Sequence, residues 1–345
     1  MCTRALLAAL IITLALATAA PAVAGQEQAT RIVWTQVLDD EFTTARIVSA
    51  RPDGSGLRAL THPAAGEFDL NAVISPDGSR VAFERDLADG SAQIHVVGAD
   101  GRGERALDLG CVDPCAADLD PGWTPDGRRI TFTPVIGPFD LVNDSARSAV
   151  LHTAKLDGSG VRRLSEPGID GVFEDYRARF APSGKYLIFE RVRNRDIKVA
   201  VFRMRPDGTH VHQLTPWRLD GDVADVSPAG HGPTKDLVVF ETFGQEPPEG
   251  AEQDIATVPA TCGSLADCTS KIRYVTHNGA GPATSNNPSW SPNGTRIAFT
   301  NILPPPGPDS PPIADIWTLR PNGGDRHRVS HSPRFEFRPD WGVAA

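Results

Sequence analysis

The chain has 345 residues, a formal net charge of −9, 32 glycines and 30 prolines. An acidic surface gives it no electrostatic reason to hold nucleic acid or an anionic membrane. So many turn-forming residues suit an all-β chain of short strands rather than a helical one.

The first segment reads as a secretory leader. Arg4 supplies the positive charge, Ala5–Ala17 is almost wholly apolar, and Ala22-Val23-Ala24 is a small-residue cleavage site. Residues 1–24 are therefore assigned to a signal peptide and 25–345 to one folded domain. The apolar stretch is short for a membrane span and no later stretch approaches that length, so no span is expected in the mature chain.

The mature chain opens on Arg31-Ile32-Val33-Trp34, a strand with no partner strand before it. From Asn71 a complete unit follows. Ala72–Ser75 is a short inner strand, Pro76-Asp77-Gly78 a turn, and Arg80–Glu84 a second strand with buried Val81 and Phe83. Gln93–Val97 is a third strand, Asp100-Gly101 a second turn, and Glu104–Leu107 an outer strand. The first turn recurs around Pro125, Pro182, Pro228 and Pro292, and the second at Asp53-Gly54, Asp157-Gly158, Asp207-Gly208 and Asn322-Gly323. A period of roughly fifty residues with four strands per unit is the pattern of a β-propeller. The chain ends on Arg338-Pro339-Asp340-Trp341-Gly342, an inner strand with nothing after it. Joined to the N-terminal strands, it completes a sixth blade and closes the ring, which removes exposed sheet edges.

The segment Pro288-Ser289-Trp290-Ser291-Pro292-Asn293-Gly294-Thr295-Arg296-Ile297-Ala298-Phe299, closed by Ile316-Trp317 and Pro321-Asn322-Gly323, resembles the repeat of the TolB-type six-bladed β-propeller family. The resemblance covers nearly the whole mature chain and weakens in the fifth blade, where Val226 replaces tryptophan and a cysteine loop replaces the Asp-Gly turn. It implies the propeller module alone, without the α/β domain that precedes the propeller in TolB.

Four cysteines of the mature chain form two close pairs, Cys111/Cys115 and Cys262/Cys268. An oxidising compartment favours two local disulfides, although four cysteines permit three pairings. Neither pair has the two-residue spacing or the neighbouring histidine of a zinc site.

Antiparallel blades put the tight turns after strands one and three on one face. The longer loops, Pro134–Ser148, Arg191–Ile197, Phe243–Gln253 and Ile302–Ile313, gather on the other face with the Cys111/Cys115 loop. Asp69, Asp118, Asp175 and Glu336 stand five positions before the large residue of each inner strand. Asn71, Asp120, Arg177, Asn287 and Arg338 stand three before it, and Asp222 and Asp225 lie near the corresponding place. These residues are expected to ring the channel mouth on the loop-rich face and to bind ligand there. Hard oxygen donors so arranged suit calcium or a cationic group. The competing reading is that they hydrogen-bond backbone amides and pair with Arg177 and Arg338.

No Gly-x-Ser-x-Gly elbow occurs, so no catalytic residue is assigned. His210 and His212 flank Val211 on an outer strand and read as surface residues, and the proline-rich Ile302–Pro312 as a stiff loop. The expectation is a monomeric, secreted or periplasmic scaffold that binds an envelope or extracellular protein, a peptide or a glycan. The alternative is a calcium-assisted hydrolase or lyase acting on a lactone, ester or sugar in the channel.

Overall fold

The computed structural model describes residues 29–112, 115–137, 148–166, 172–243, 253–278, 283–305, 307 and 312–345. The expected leader and residues 306 and 308–311 of the proline-rich stretch lie outside them.

The strands run β1 (Thr30–Val37), β2 (Ala45–Ala50) and β3 (Arg58–Ala59), then β4 (Phe68–Ile74), β5 (Arg80–Asp86), β6 (Ala92–Gly98) and β7 (Arg105–Ala106). Next come β8 (Cys115–Trp123), β9 (Arg129–Ile136), β10 (Ser148–Ala149), β11 (His152–Lys155) and β12 (Arg162–Arg163). They are followed by β13 (Phe173–Phe180), β14 (Leu187–Arg193), β15 (Lys198–Met204) and β16 (His212–Gln213). The last strands are β17 (Gly221–Val226), β18 (Leu237–Thr242), β19 (Asp254–Pro259) and β20 (Arg273–Tyr274), then β21 (Thr284–Trp290), β22 (Ile297–Leu303), β23 (Ile313–Leu319), β24 (His327–Arg328) and β25 (Glu336–Val343). Among the described residues one α-helix, α1 (Leu265–Ser270), and one 3-10 turn, Trp217–Leu219, interrupt the pattern.

Strands β13–β16, β17–β20 and β21–β24 form four-stranded antiparallel sheets in sequence order. The β4 and β8 units have the same antiparallel grammar. Single parallel bridges, Ala45↔Phe68 and Ala92↔Ala117, join them to each other and to the N-terminal strands. The C-terminal strand β25 pairs antiparallel with β1, Ile32 opposite Trp341, and packs against both β21 and β4.

The repeated tetrapeptide folds as its chemistry dictates. Asp77 Oδ1 accepts from Ser79 N at 3.0 Å, Ser75 Oγ accepts from Arg80 N at 3.0 Å, and Gly78 takes the left-handed turn position. Thr124/Asp126 and Ser291/Asn293 repeat these bonds. Inner strands extend further than the sequence suggests: β4 starts at Phe68, four residues before Ala72. Residues expected on a loop before the strand are therefore inside it.

The core lies between sheets. Val33, Ile47 and Leu60 pack on Val81, Phe83 and Val97 of the next unit, and Ile32, Trp34 and Val48 on Ala298, Ile316 and Val329. A second seam contact recurs further out, at the Asp-Gly turns. Gly208, with φ +81°, lies so close to its neighbour that an added Cβ would meet the Leu164 carbonyl oxygen at 2.7 Å. Gly54, Gly158 and Gly323 face Val329, Asp108 and Val275 in the same way. Each turn thus abuts the outer end of the preceding unit. In the β17 unit, α1 and the Cys262–Cys268 disulfide take this place.

Gly208→Ala is expected to lower the urea midpoint by an amount equivalent to about 1–3 kcal/mol. Gly90→Ala is the control, since Gly90 has φ +84° but open space around it. Equal losses at both positions would assign the effect to backbone conformation and not to the seam.

Candidate functional site

Every inner strand bulges at the same register. Pairing of β4 with β5 skips from Leu70↔Glu84 to Val73↔Ala82, which leaves Asn71 and Ala72 opposite Phe83. The same skip occurs in β8, β13, β17 and β21, and in β25 against β1. The first bulged residue is left-handed each time: Asn71, Asp120, Arg177, Val223, Asn287 and Arg338, with φ between 41° and 55°. Asn and Asp tolerate that region, whereas Arg and especially Val are strained there. The bulge turns these side chains toward the axis and leaves its amides needing acceptors.

The acceptors come from the preceding unit. Glu84 Oε2 accepts from Asp120 N at 2.8 Å, Glu190 Oε1 from Ala224 N at 3.1 Å, Glu241 Oε2 from Asn287 N, and Thr300 Oγ1 from Arg338 N at 3.0 Å. Sequence reasoning missed this set. Its signal was the residue after each second-strand aromatic: Trp34-Thr35, Phe83-Glu84, Phe132-Thr133, Phe189-Glu190, Phe240-Glu241 and Phe299-Thr300. All six of these acids and threonines are buried, but only Glu84, Glu190, Glu241 and Thr300 accept from a bulge amide; the Thr35 and Thr133 hydroxyls do not.

Asn71 is the hub of the axial network. Its amide nitrogen donates to Glu84 and Asp120, and its oxygen accepts from Arg177 at 3.2 Å and Arg338 at 2.6 Å. Arg177 also pairs with Asp120 at 3.0 Å and Glu190 at 3.1 Å. Burial first, and then Asp120 and Asp86, push the Glu84 carboxyl up to about 8. Burial and Asp222 push Glu241 up to about 8 as well. Glu190 is raised well above the usual range by burial and by Asp222. Burial also works to raise Asp222, but the Glu190 hydrogen bond and Arg177 outweigh it and hold Asp222 low. One carboxyl of that pair thus carries the proton for both.

The predicted site residues divide into two sets. Asn71, Arg177, Asn287 and Arg338 line one axial cavity of about 30 Å³, and Asp120 bonds to two of them. Asp222 matches Leu70 in register rather than Asn71, and Val223 occupies the bulge. The other set points into the sheets. Asp69 is fully buried and holds Arg85 through both oxygens at 2.6 and 2.9 Å; Asp175 holds Arg191 identically. Glu336 accepts from Gln36 at 2.6 Å. Asp118 is buried beside the Cys111–Cys115 disulfide and pushed up to about 7 by burial and by Asp108. These four were expected at the channel mouth; the two-residue alternation of the strand, read across the bulge, sends them between strands instead.

Beyond the constriction, on the tight-turn face, a 330 Å³ funnel is walled by the repeat prolines Pro76, Pro125, Pro182, Pro228 and Pro292 and by Trp123, Trp290 and Trp341. Its floor holds Arg179, Asp225 and Asp340. Burial and then Asp340 push Asp225 up to about 6. Asp225 accepts from Trp290 N and Asp340 from Ile74 N, both at 2.8 Å, so these acids also tie neighbouring units.

The loop-rich face carries most of the exposed apolar side chains. Phe42, Val112, Ile136, Val172, Ile197, Phe243, Leu303 and Ile313 lie there, at strand ends or in loops. Only Leu57, Val161 and Val211, beside the second turns, lie elsewhere among the described residues. Phe42 stacks edge-on to Phe335 at 5.1 Å, and Phe335 on Phe337 at 5.7 Å, an aromatic path toward Arg338 at the axis.

Both cysteine pairs are disulfide-bonded, with Cα separations of 5.2 and 5.1 Å. One expectation is corrected here. Cys268 does have a neighbouring histidine: His212 Nε2 of the β13 unit lies 3.5 Å from its Sγ, while His210 turns to Thr209.

No family model matches the chain, and no curated protein sequence does. Solved structures do. TolB from Acinetobacter baumannii superposes on 90% of this chain and 66% of its own, with TM-score 0.65 and 16% identity. A putative TolB from Agrobacterium tumefaciens covers 88% of this chain and 89% of its own, with TM-score 0.58 and 15% identity. The fold is that of a TolB-like β-propeller. Hydrazine synthase from Kuenenia stuttgartiensis also matches 92% of this chain, over 47% of its own, with TM-score 0.65 and 13% identity. The chain thus spans about two thirds of the Acinetobacter protein and about half of the hydrazine synthase chain. At such identities the likeness shows the propeller fold alone.

The raised Glu84 gives this TolB-like propeller a pH signature. The folded state keeps a proton there that an ordinary glutamate, near 4.5, has released in the unfolded chain. The stability it contributes is complete below about pH 4.5 and declines as pH rises toward about 8. Glu84→Gln keeps a neutral acceptor for Asp120 N and is expected to flatten the fall in melting temperature between about pH 5 and 8. An unchanged slope would show that Glu84 does not titrate in that window.

Proposed function

We propose that the chain is a closed six-bladed propeller, exported after removal of residues 1–24, which binds an envelope or extracellular protein through its loop-rich face. The observation that carries this reading is the concentration of exposed apolar side chains on that face. Exposed apolar side chains gathered on one face, and not scattered over the whole surface, are what an interaction site presents. Closure rests on β25 pairing with β1 while touching β21 and β4. Export rests on the leader-like sequence and the two disulfides, which persist in oxidising compartments.

The reading as a calcium-assisted hydrolase or lyase draws on the acids at the axis, and the geometry supports it less. A cavity of about 30 Å³ between Asn71, Arg177, Asn287 and Arg338 is the size of one water, whereas ligand pockets run to several hundred Å³. Calcium at the ring of Asp69, Asp175 and Glu336 would have to displace Arg85, Arg191 and Gln36.

Capture from envelope and secreted fractions tests the proposal. Wild type is compared with a Phe42→Ser, Ile197→Ser, Phe243→Ser, Ile313→Ser variant and with a Leu57→Ser, Val161→Ser, Val211→Ser control. A partner held by wild type and control but lost from the first variant is the expected outcome. The recovered chain is expected to begin at Gly25 by mass spectrometry. Equal capture by all three, or none by folded wild type, would overturn the assignment of the face.

A further inference from the structure

The β17 unit departs from the repeat most sharply at its outer turn. Where other units rest an Asp-Gly turn on the preceding unit, it carries α1 and the Cys262–Cys268 disulfide, seated against His212 of β16. Cys262 and Cys268 are buried, and His212 is half-buried. The two sulfurs and one ring nitrogen of His212 all lie within 4.8 Å of one another.

We propose that reduction of the Cys262–Cys268 disulfide uncovers a Cys2His site for zinc, with His212 as the third protein ligand, bridging the β13 and β17 units. Two thiolates and an imidazole are a borderline-soft donor set that suits zinc. In a tetrahedral site with usual bond lengths, the N···S edge is about 3.6 Å and the S···S edge about 3.8 Å. The His212–Cys268 separation of 3.5 Å already matches the first edge. Only the sulfurs must part, and a Cα separation of 5.1 Å leaves that to side-chain rotation.

The chemistry balances with a dithiol as reductant. It gives up two electrons and two protons, becoming a cyclic disulfide, while the protein S–S bond breaks to two thiols. Zinc then displaces both thiol protons and keeps a water in its fourth position. The exchange replaces a crosslink inside one unit by one between two units. Oxidising conditions hold the disulfide and thiol-reducing ones favour the metal.

The chain from Gly25 onward carrying Cys111→Ser and Cys115→Ser, which leaves Cys262 and Cys268 as its cysteines, tests this. After reduction by dithiothreitol and anaerobic desalting, one equivalent of Co²⁺ is expected to give the intense visible bands of a tetrahedral thiolate site, bleached one-to-one by Zn²⁺. The oxidised protein should give none. His212→Ala should weaken zinc binding by at least about 10–100-fold. Near-UV circular dichroism follows the fold in parallel: zinc should raise the melting temperature of the reduced protein or, if reduction unfolds it, restore the native spectrum. A folded reduced protein without the tetrahedral spectrum would overturn the proposal. So would undiminished affinity in the His212 variant, or failure of zinc to stabilise or refold.

Discussion

The structure depends on the left-handed bulge in each inner strand. An inner strand near a common axis has little room for side chains on its inward face. The bulge meets this constraint by turning one residue toward the axis, polar in every unit but that of β17, and freeing backbone amides beside it. A buried amide without an acceptor is costly, so the preceding unit must supply one. Glu84, Glu190, Glu241 and Thr300 do so, and at these four seams one unit thereby fixes the position of the next.

Using carboxylates for this purpose has a consequence. Three acids, Glu84, Glu190 and Glu241, converge near the axis with Asp120 and Asp222; Arg177 pairs directly with Asp120 and Glu190, and Arg338 acts on Asp222 and Glu241 from further off. Desolvation therefore keeps several of the acids protonated near neutrality, and shared protons replace missing counter-charges. The axis is a buttress built of polar groups, narrow enough to exclude anything larger than water. The rim of the loop-rich face is different in character, with Phe42, Ile197 and Phe243 exposed.

The seams themselves have two layers. Apolar side chains such as Phe83 and Ile47 fill the space between sheets, and further out the Asp-Gly turns press on neighbouring carbonyls. The β17 unit keeps the first layer and exchanges the second for a helix and a disulfide. It is also where the repeat is hardest to read, because a covalent staple relaxes the demand for glycine at that turn.

Much of this protein was legible in its residues. The turns follow from proline, aspartate and glycine at fixed places, the strands from alternation about Val81-Phe83 and its repeats, and the all-β unit from their period. These are local effects, set within a few residues of chain. The bulge was not legible, because a one-residue insertion reverses which side chains face the axis: Asp69 and Asp175 moved into the sheets, while Asn71, Arg177 and Arg338 met at the centre. Nor was the pairing of Glu84 with Asp120 N, or of His212 with Cys268, since each joins residues of different units. The sequence by itself determined what each unit is made of. Only the tertiary structure decided how units meet, because those contacts depend on distances across the seams that no local pattern encodes.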